Sequence, residues 1–184
     1  MYCRGLNCLF CGGGREVVAL QEEIMIKLQR ILMATDFSAY SQEALDYAIY
    51  LAKSLKAELY LLHVFEIPHF SHTGVSPSIQ PEVHKWIEQV GQEESKKLEA
   101  LVEEVRQHGV KVSGIFQEGK PFVVILKTAG KIEADLLVLG THGRTGMTHI
   151  LMGSVAEKVV RQASCPVFTV RPKAFVTQKA WKEA

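Results

Sequence analysis

The sequence predicts an α/β protein, a three-layer sandwich in which helices cover both faces of a mainly parallel, five-stranded sheet. Five short apolar or alternating segments typical of strands are separated by four longer segments whose apolar residues recur at helical spacing. Strands that alternate with helices form βαβ units with right-handed crossovers. A chain of 184 residues is long enough to bury a sizeable core. The pattern leaves the strand order open.

The first half of this alternation begins with a buried strand, Ile31 to Ala34, which ends at the polar segment Thr35-Asp36-Phe37-Ser38. An amphipathic pattern then predicts a helix from Ser41, as its N-terminal cap, to about Leu55. The second strand is predicted over Glu58 to Phe65. The segment from Ile67 to Pro81 is rich in His, Ser and Pro and is predicted to be a loop, which could cover a site or be a surface excursion.

The second half continues with a long helix that Gly109 ends and a shorter one that Gly130 ends. The long helix has an apolar face predicted to be buried, formed by Trp86, Val90, Leu98, Leu101, Val102 and Val105. The predicted elements are a helix over Pro81 to His108, a strand over Lys111 to Gln117, a helix over Pro121 to Ala129, a strand over Leu136 to Leu139, a helix over Ser154 to about Ala163, and a strand over Pro166 to Val170.

A glycine-containing stretch after the fourth strand could hold phosphate. Gly140 ends the strand, Gly143 follows, and Gly153-Ser154 opens the next helix. Glycines let the backbone approach an anion, and a helix N-terminus attracts one. Ser154 could cap the helix or donate its hydroxyl to a phosphate. Alternatively, Gly140 simply ends a strand and Gly153-Ser154 is an ordinary cap, since glycine pairs of this kind are common. The stretch matches neither the P-loop nor the G-x-G-x-x-G pattern, so neither of those mechanisms applies.

Asp36 lies at the carboxyl end of the first strand, and Gly140 at that of the fourth. Ligands of open parallel sheets bind beyond these ends. If the two strands are neighbours, a carboxylate suited to sugar hydroxyls faces a loop suited to phosphates. Alternatively, Asp36 is a turn residue that bonds back to the backbone of Ser38 or Ala39.

Composition narrows the class of partner. Lys+Arg number 21 against Asp+Glu 20, so no basic excess favours nucleic acid. No apolar run reaches the roughly 18 residues of a membrane span, so we expect no membrane partner either.

Residues 1–26 differ from the rest and are interpreted as a flexible or non-native leader. They contain Cys3, Cys8 and Cys11 but no adjacent fourth ligand for a structural metal site. Because they lack the apolar core of a secretory signal, we expect a cytoplasmic location. One domain is predicted over residues 27–172, followed by a polar tail over 173–184.

Four motifs together resemble the universal stress protein family: Ile31-Leu-Met-Ala-Thr-Asp-Phe-Ser38, Leu61-Leu-His-Val-Phe65, Ala134-Asp-Leu-Leu-Val-Leu-Gly-Thr-His-Gly143 and Gly153-Ser154-Val155. The family's ATP-binding branch carries Gly, two residues, Gly, nine residues, Gly and then Ser or Thr, a spacing that this chain reproduces. The resemblance implies a Rossmann-like adenine-nucleotide-binding fold with strand order 3-2-1-4-5. It also implies a homodimer through the last strand, Val167 to Val170.

The same resemblance implies a nucleotide site for ATP with accompanying Mg²⁺. Adenosine would lie near Ala34, Asp36, Val64, Leu139 and Gly140, and the phosphates near His142, Gly143, Gly153, Ser154 and Val155. Arg144 is a phosphate partner by charge, or else a solvated loop residue.

Three functional hypotheses follow. The first is an ATP-binding regulatory module of the stress response with little or no turnover, because the sequence shows no evident general base and no residue is assigned a catalytic role. The second is a slow ATPase, or a protein that phosphorylates itself on Ser38, Ser41 or Ser154. The third is a nucleotide-free dimeric interaction protein.

Overall fold

The computed structural model describes residues 27–67, 80–143 and 152–171. Within these ranges strands and helices alternate as predicted. In chain order the elements are β1 (Arg30–Thr35), α1 (Ala39–Leu55), β2 (Glu58–Phe65), α2 (Gln80–Gln107), β3 (Val112–Glu118), α3 (Pro121–Lys131), β4 (Leu136–Gly140), α4 (Ser154–Gln162) and β5 (Val167–Val170).

All neighbouring strands pair in parallel, in the order β3-β2-β1-β4-β5. This confirms the fold class and the strand order. The central strand, β1, pairs with both sides, so Met33 lies opposite Leu61 on β2 and opposite Val138 on β4. The carboxyl ends of β1 and β4 are therefore adjacent, which is the condition for Asp36 to face the glycine-containing loop.

Two hydrophobic cores hold the layers together because successive strand residues point to opposite faces of the sheet. Ile31 and Met33 pack in one core with α1 and α2, while Leu32 packs in the other with α3 and α4. All three side chains are fully buried. Burial of each stabilises the fold by about 1.5–3 kcal/mol relative to exposure.

The N-caps of α1 and α4 are not the serines that the sequence suggested, although α4 begins at Ser154 as predicted. Ser38, not Ser41, is the N-cap of α1, and its hydroxyl accepts a hydrogen bond from the Ser41 backbone N–H at 3.2 Å. The N-cap of α4 is Gly153, so Ser154 is the first helical residue and does not cap the helix. Both shifts arise because a cap is defined by its extended backbone as well as by its side chain.

Two features of the other helices also differ. Gly130 lies inside α3, which continues to Lys131 and ends at Ile132. Trp86, predicted to be buried, is 50% exposed, whereas Leu98 and Val105 on the same helix are buried. The first turns of α2 therefore extend away from the core. Gly109 follows α2 with a φ of +77°, as expected for a residue that ends a helix.

Several predictions concern residues outside the described ranges. These are the leader with its three cysteines, most of the loop between Ile67 and Pro81, Arg144, and the tail from 173. Among the helices of the described ranges, none combines the length and apolar character needed to cross a membrane.

Candidate functional site

A cavity of about 500 Å³ opens at the carboxyl ends of β1, β2 and β4. Its lining comes from both faces of the sheet, because α2 contributes one wall and α3 and α4 contribute another. Ten of the eleven predicted site residues line it, and Arg144 lies outside the described residues. The ten are Ala34, Asp36, Val64, Leu139, Gly140, His142, Gly143, Gly153, Ser154 and Val155.

Asp36 forms the turn after β1. Its Oδ1 accepts hydrogen bonds from the Ser38 N–H at 3.0 Å and from the Ser38 hydroxyl at 2.6 Å. The turn interpretation of Asp36 is thus confirmed, yet the same carboxylate also lines the cavity. Its other oxygen packs against Gly143, where a Cβ would lie only 2.7 Å from it. The Asp36 side chain therefore reaches from the end of β1 to the loop that follows β4.

The residue after Asp36 has a strained backbone. Phe37 has a φ of +61°, a left-handed conformation that is uncommon for a residue other than glycine. Its N–H donates to the Thr35 hydroxyl at 3.1 Å, and its ring lies 4.3 Å from the His63 ring, centroid to centroid. These contacts offset a conformational cost of about 1–3 kcal/mol and hold the turn in place.

Thr141 joins the loop after β4 to two other elements. Its N–H donates to the Val170 carbonyl at 2.9 Å, and its own carbonyl accepts from the Gly153 N–H at 2.7 Å. A Cβ at Gly153 would lie 3.2 Å from that carbonyl oxygen, so a glycine allows the close approach. Ser154, next along the chain, is exposed at the cavity.

This arrangement directs the start of α4 into the cavity. The N-cap, Gly153, has no side chain with which to cap the helix, and Ser154 and Val155 line the cavity with it. The first turn of a helix carries N–H groups without intrahelical partners and the positive end of the helix dipole. The α4 end of the cavity is therefore suited to an anion.

His142 is held at the cavity wall. Its Nδ1 lies 3.0 Å from the Thr141 hydroxyl, its ring centroid lies 6.2 Å from that of Tyr40, and only 8% of the residue is exposed. The hydroxyl and the packing set the orientation of the ring.

A buried pair, His63 and Glu94, also lines the cavity. His63 Nδ1 lies 2.8 Å from the Thr35 carbonyl and therefore donates to it, while Nε2 lies 2.9 Å from Glu94 Oε2. His63 is buried, with only 1% of the residue exposed. No sequence signal connects His63 to Glu94, because the contact joins β2 to α2 across 31 positions.

The α2 wall of the cavity was not anticipated. Trp86, Val90 and Glu94 line it at intervals of four residues, and Pro121 and Ile125 of α3 line the cavity from the other face of the sheet. Trp86 and Val90 belong to the apolar face that the sequence predicts to be buried, whereas Glu94 does not. Spacing alone does not tell which turns of a helix lie beyond the edge of the sheet.

The side chains of the described ranges include no group of three or more His, Cys, Asp or Glu that could hold a metal ion.

The fold and the site define a class: an open, parallel α/β protein with a ligand crevice at the carboxyl edge, between the strands where the order reverses. The chain belongs to the universal stress protein family, whose model matches residues 27–171.

Relatives support this membership. Universal stress protein MJ0531 of Methanocaldococcus jannaschii is 38% identical over 143 residues, covering 78% of this chain and 82% of that protein. Universal stress protein MJ0577 of the same organism is 30% identical over 159 residues, covering 80% and 98%. The solved structure of MJ0577 aligns with a TM-score of 0.70 at 29% identity, covering 80% of this chain and 98% of that one.

A universal stress protein family protein from Arabidopsis thaliana, solved with AMP bound, aligns with a TM-score of 0.54 at 21% identity. The alignment covers 79% of this chain and 93% of the Arabidopsis protein. At this identity the likeness concerns the fold.

Proposed function

We propose that the protein is a cytoplasmic ATP-binding regulatory module of the stress response, with little or no turnover. One observation carries the proposal: a single cavity of about 500 Å³ places a carboxylate, Asp36, beside a glycine-containing loop and the start of α4. The volume is in the usual range for a small-molecule site.

Each part of an adenine nucleotide has a matching part of the cavity. The apolar residues Ala34, Val64 and Leu139 suit the base and the carbon atoms of the ribose, and Asp36 suits the ribose hydroxyls. The phosphates would lie near His142 and Gly143 and at the N-terminus of α4, where Gly153, Ser154 and Val155 line the cavity. Arg144, next in sequence to Gly143, would add a positive charge.

Gly143 and Gly153 test whether this end of the cavity fits a phosphate group. At Gly143 and Gly153 a Cβ would lie 2.7 Å from Asp36 Oδ2 and 3.2 Å from the Thr141 carbonyl oxygen, respectively. A side chain at Gly143 would meet the Asp36 carboxylate, and one at Gly153 would meet the Thr141 carbonyl. Because the Gly153 N–H already donates to that carbonyl, the main-chain donors proposed for a phosphate are the N–H groups of Ser154 and Val155, in the first turn of α4. Mg²⁺ would accompany the triphosphate, taking phosphate oxygens as ligands.

The AMP bound to the Arabidopsis protein belongs to a structure that shares the fold at low identity. It is consistent with an adenine nucleotide here, but the proposal depends on this chain's own cavity.

Low turnover is proposed because three of the acid–base groups that line the cavity, Asp36, His63 and Glu94, already have hydrogen-bond partners. Asp36 accepts two hydrogen bonds from Ser38, and His63 and Glu94 bond to each other.

For self-phosphorylation, the second hypothesis, the environments of the three serines favour Ser154. The hydroxyls of Ser38 and Ser41 donate to Asp36 and to the Ser38 carbonyl, whereas Ser154 is exposed at the cavity.

Calorimetric titration of Mg-ATP into nucleotide-free protein tests the proposal, followed by chromatography of the recovered nucleotide. We expect saturable binding and intact ATP. The Ser154→Ala variant should bind about fivefold more weakly, the equivalent of one hydrogen bond. Ser54→Ala, at an exposed position of α1, is the matched control and should bind like the wild type. Absence of binding would refute the proposal, and recovery of ADP would favour an ATPase.

A further inference from the structure

The N-terminal part of α2 stands above the edge of the sheet. Glu94 bonds to His63 near the carboxyl end of β2, and α2 runs antiparallel to the strands that it covers. Trp86 precedes Glu94 by eight residues, which is about 12 Å along a helix at 1.5 Å per residue. Since His63 lies two residues, or about 6.6 Å, before the end of β2, Trp86 lies beyond that end, on the side where the cavity opens.

Trp86 has a surface that a ligand could cover. It lines the cavity in one stripe with Val90 and Glu94, yet 50% of the residue is exposed. Tryptophan is a large apolar side chain that is usually well buried. Its flat indole ring at the rim of a largely apolar cavity is suited to cover a planar group.

Charge distinguishes the two ends of the cavity. Glu66, which directly follows β2, lines the cavity on the same side of β1 as Trp86. The start of α4 is bonded to Thr141, which follows β4 on the other side of β1, and Asp36 lies between them at the end of β1. Acidic groups disfavour phosphates, and a helix N-terminus favours them. A nucleotide would thus place its phosphates near α4 and its base toward α2.

We propose that Trp86 is a base-stacking residue that forms one wall of the binding site for a purine ring and makes the site prefer purine over pyrimidine nucleotides. The inference rests on the proposed function and extends it to a residue on α2. A larger ring system overlaps more of the indole, so a purine gains more from the contact than a pyrimidine does.

The experiment uses the chain's two tryptophans, Trp86 and Trp181. In the full-length Trp181→Phe variant, Trp86 alone reports by fluorescence during titration with Mg-ATP, Mg-CTP and magnesium tripolyphosphate. Binding of each ligand is also measured by calorimetry. We expect ATP to quench Trp86 and to bind more tightly than CTP. Tripolyphosphate should leave the fluorescence unchanged.

Two substitutions at position 86 separate stacking from simple packing. Both substitutions are made in the Trp181→Phe variant, the parent. Trp86→Phe keeps an aromatic face, so its affinity for ATP should be within about threefold of that of the parent. Trp86→Leu keeps an apolar side chain and should lose about tenfold, consistent with the contribution of one stacked base. Tripolyphosphate binding should be equal in both variants, and circular dichroism should show that both are folded.

The outcomes separate this inference from the proposed function. Equal ATP affinity in Trp86→Leu and in the parent, or an unchanged ATP-to-CTP preference, overturns the role of Trp86 and leaves ATP binding intact. No ATP binding by the wild type in calorimetry overturns both.

Discussion

The site depends, at the scale of single residues, on how closely the Asp36 carboxylate approaches the Gly143 backbone. Asp36 is fixed from one side by Ser38, and Phe37 holds a left-handed backbone against the His63 ring. Such strain is retained where the surrounding contacts determine the conformation. The ends of β1 and β4 are therefore joined by a side chain with little freedom to move.

The Gly143→Ala substitution should disturb this contact. The new Cβ would lie 2.7 Å from Asp36 Oδ2, so the carboxylate must shift away from its position at the cavity. We expect the affinity for Mg-ATP, measured by calorimetry, to fall about tenfold, the equivalent of one hydrogen bond to a charged group.

Gly130→Ala is the matched control. A Cβ there would meet nothing within 4 Å, and the position is helical. Replacement of glycine by alanine in a helix raises the free energy of unfolding by about 0.5–1 kcal/mol, and ATP affinity should not change. Wild-type affinity in Gly143→Ala would show that the placement of Asp36 does not matter for binding.

At the scale of elements, the His63–Glu94 pair connects β2 to the part of α2 that leaves the core. His63 Nδ1 donates to the Thr35 carbonyl, so Nε2 either accepts a proton from Glu94 or, on a charged ring, donates to its carboxylate. In either state one proton is shared between two buried side chains. The pair thereby positions the α2 wall of the cavity.

Two substitutions at Glu94 test this connection. In Glu94→Gln the amide N–H can donate to Nε2 of a neutral ring, so we expect a free energy of unfolding within about 0.5 kcal/mol of the wild type. In Glu94→Leu the buried Nε2 loses this partner, which costs about 1–3 kcal/mol. Urea unfolding measures both, with exposed Glu104→Gln on the same helix as a control. If Glu94→Gln and Glu94→Leu lose the same free energy of unfolding, the pair is held by the attraction between opposite charges.

On the scale of the whole molecule, the strand order leaves β5 at one edge of the sheet, paired on one side to β4. The Leu137 N–H donates to the Pro166 carbonyl and the Thr141 N–H to the Val170 carbonyl. In a parallel pair, the positions between these, Val167 and Thr169, direct their backbone groups away from β4. An edge of this kind can pair with a second chain.

The predicted homodimer through Val167 to Val170 can be tested at Thr169. Proline at this position removes an outward N–H, so Thr169→Pro should be a monomer while the wild type has twice the monomer mass by light scattering. Thr169→Val retains the N–H and should remain a dimer. A dimeric Thr169→Pro variant would place the interface elsewhere.

The sequence by itself determined the alternation of elements, and the family resemblance that it carries implied ten of the residues that line the cavity. Residues 58–65 form β2 as predicted, because local periodicity indicates which face of a segment is buried. Gly140 ends β4, Gly143 follows three residues later, and Gly153 directly precedes α4. Their positions at the cavity could therefore be anticipated once β1 and β4 were taken as neighbours.

Only the tertiary structure decided which elements meet. Periodicity left the strand order open, and the order came from the family resemblance before the sheet confirmed it. Trp86 and Glu94 belong to the cavity because α2 extends past the sheet edge there, whereas Leu98, on the same helix, is buried in the core. A sequence pattern indicates that a side chain is buried. The partner it meets depends on contacts between segments far apart in the chain.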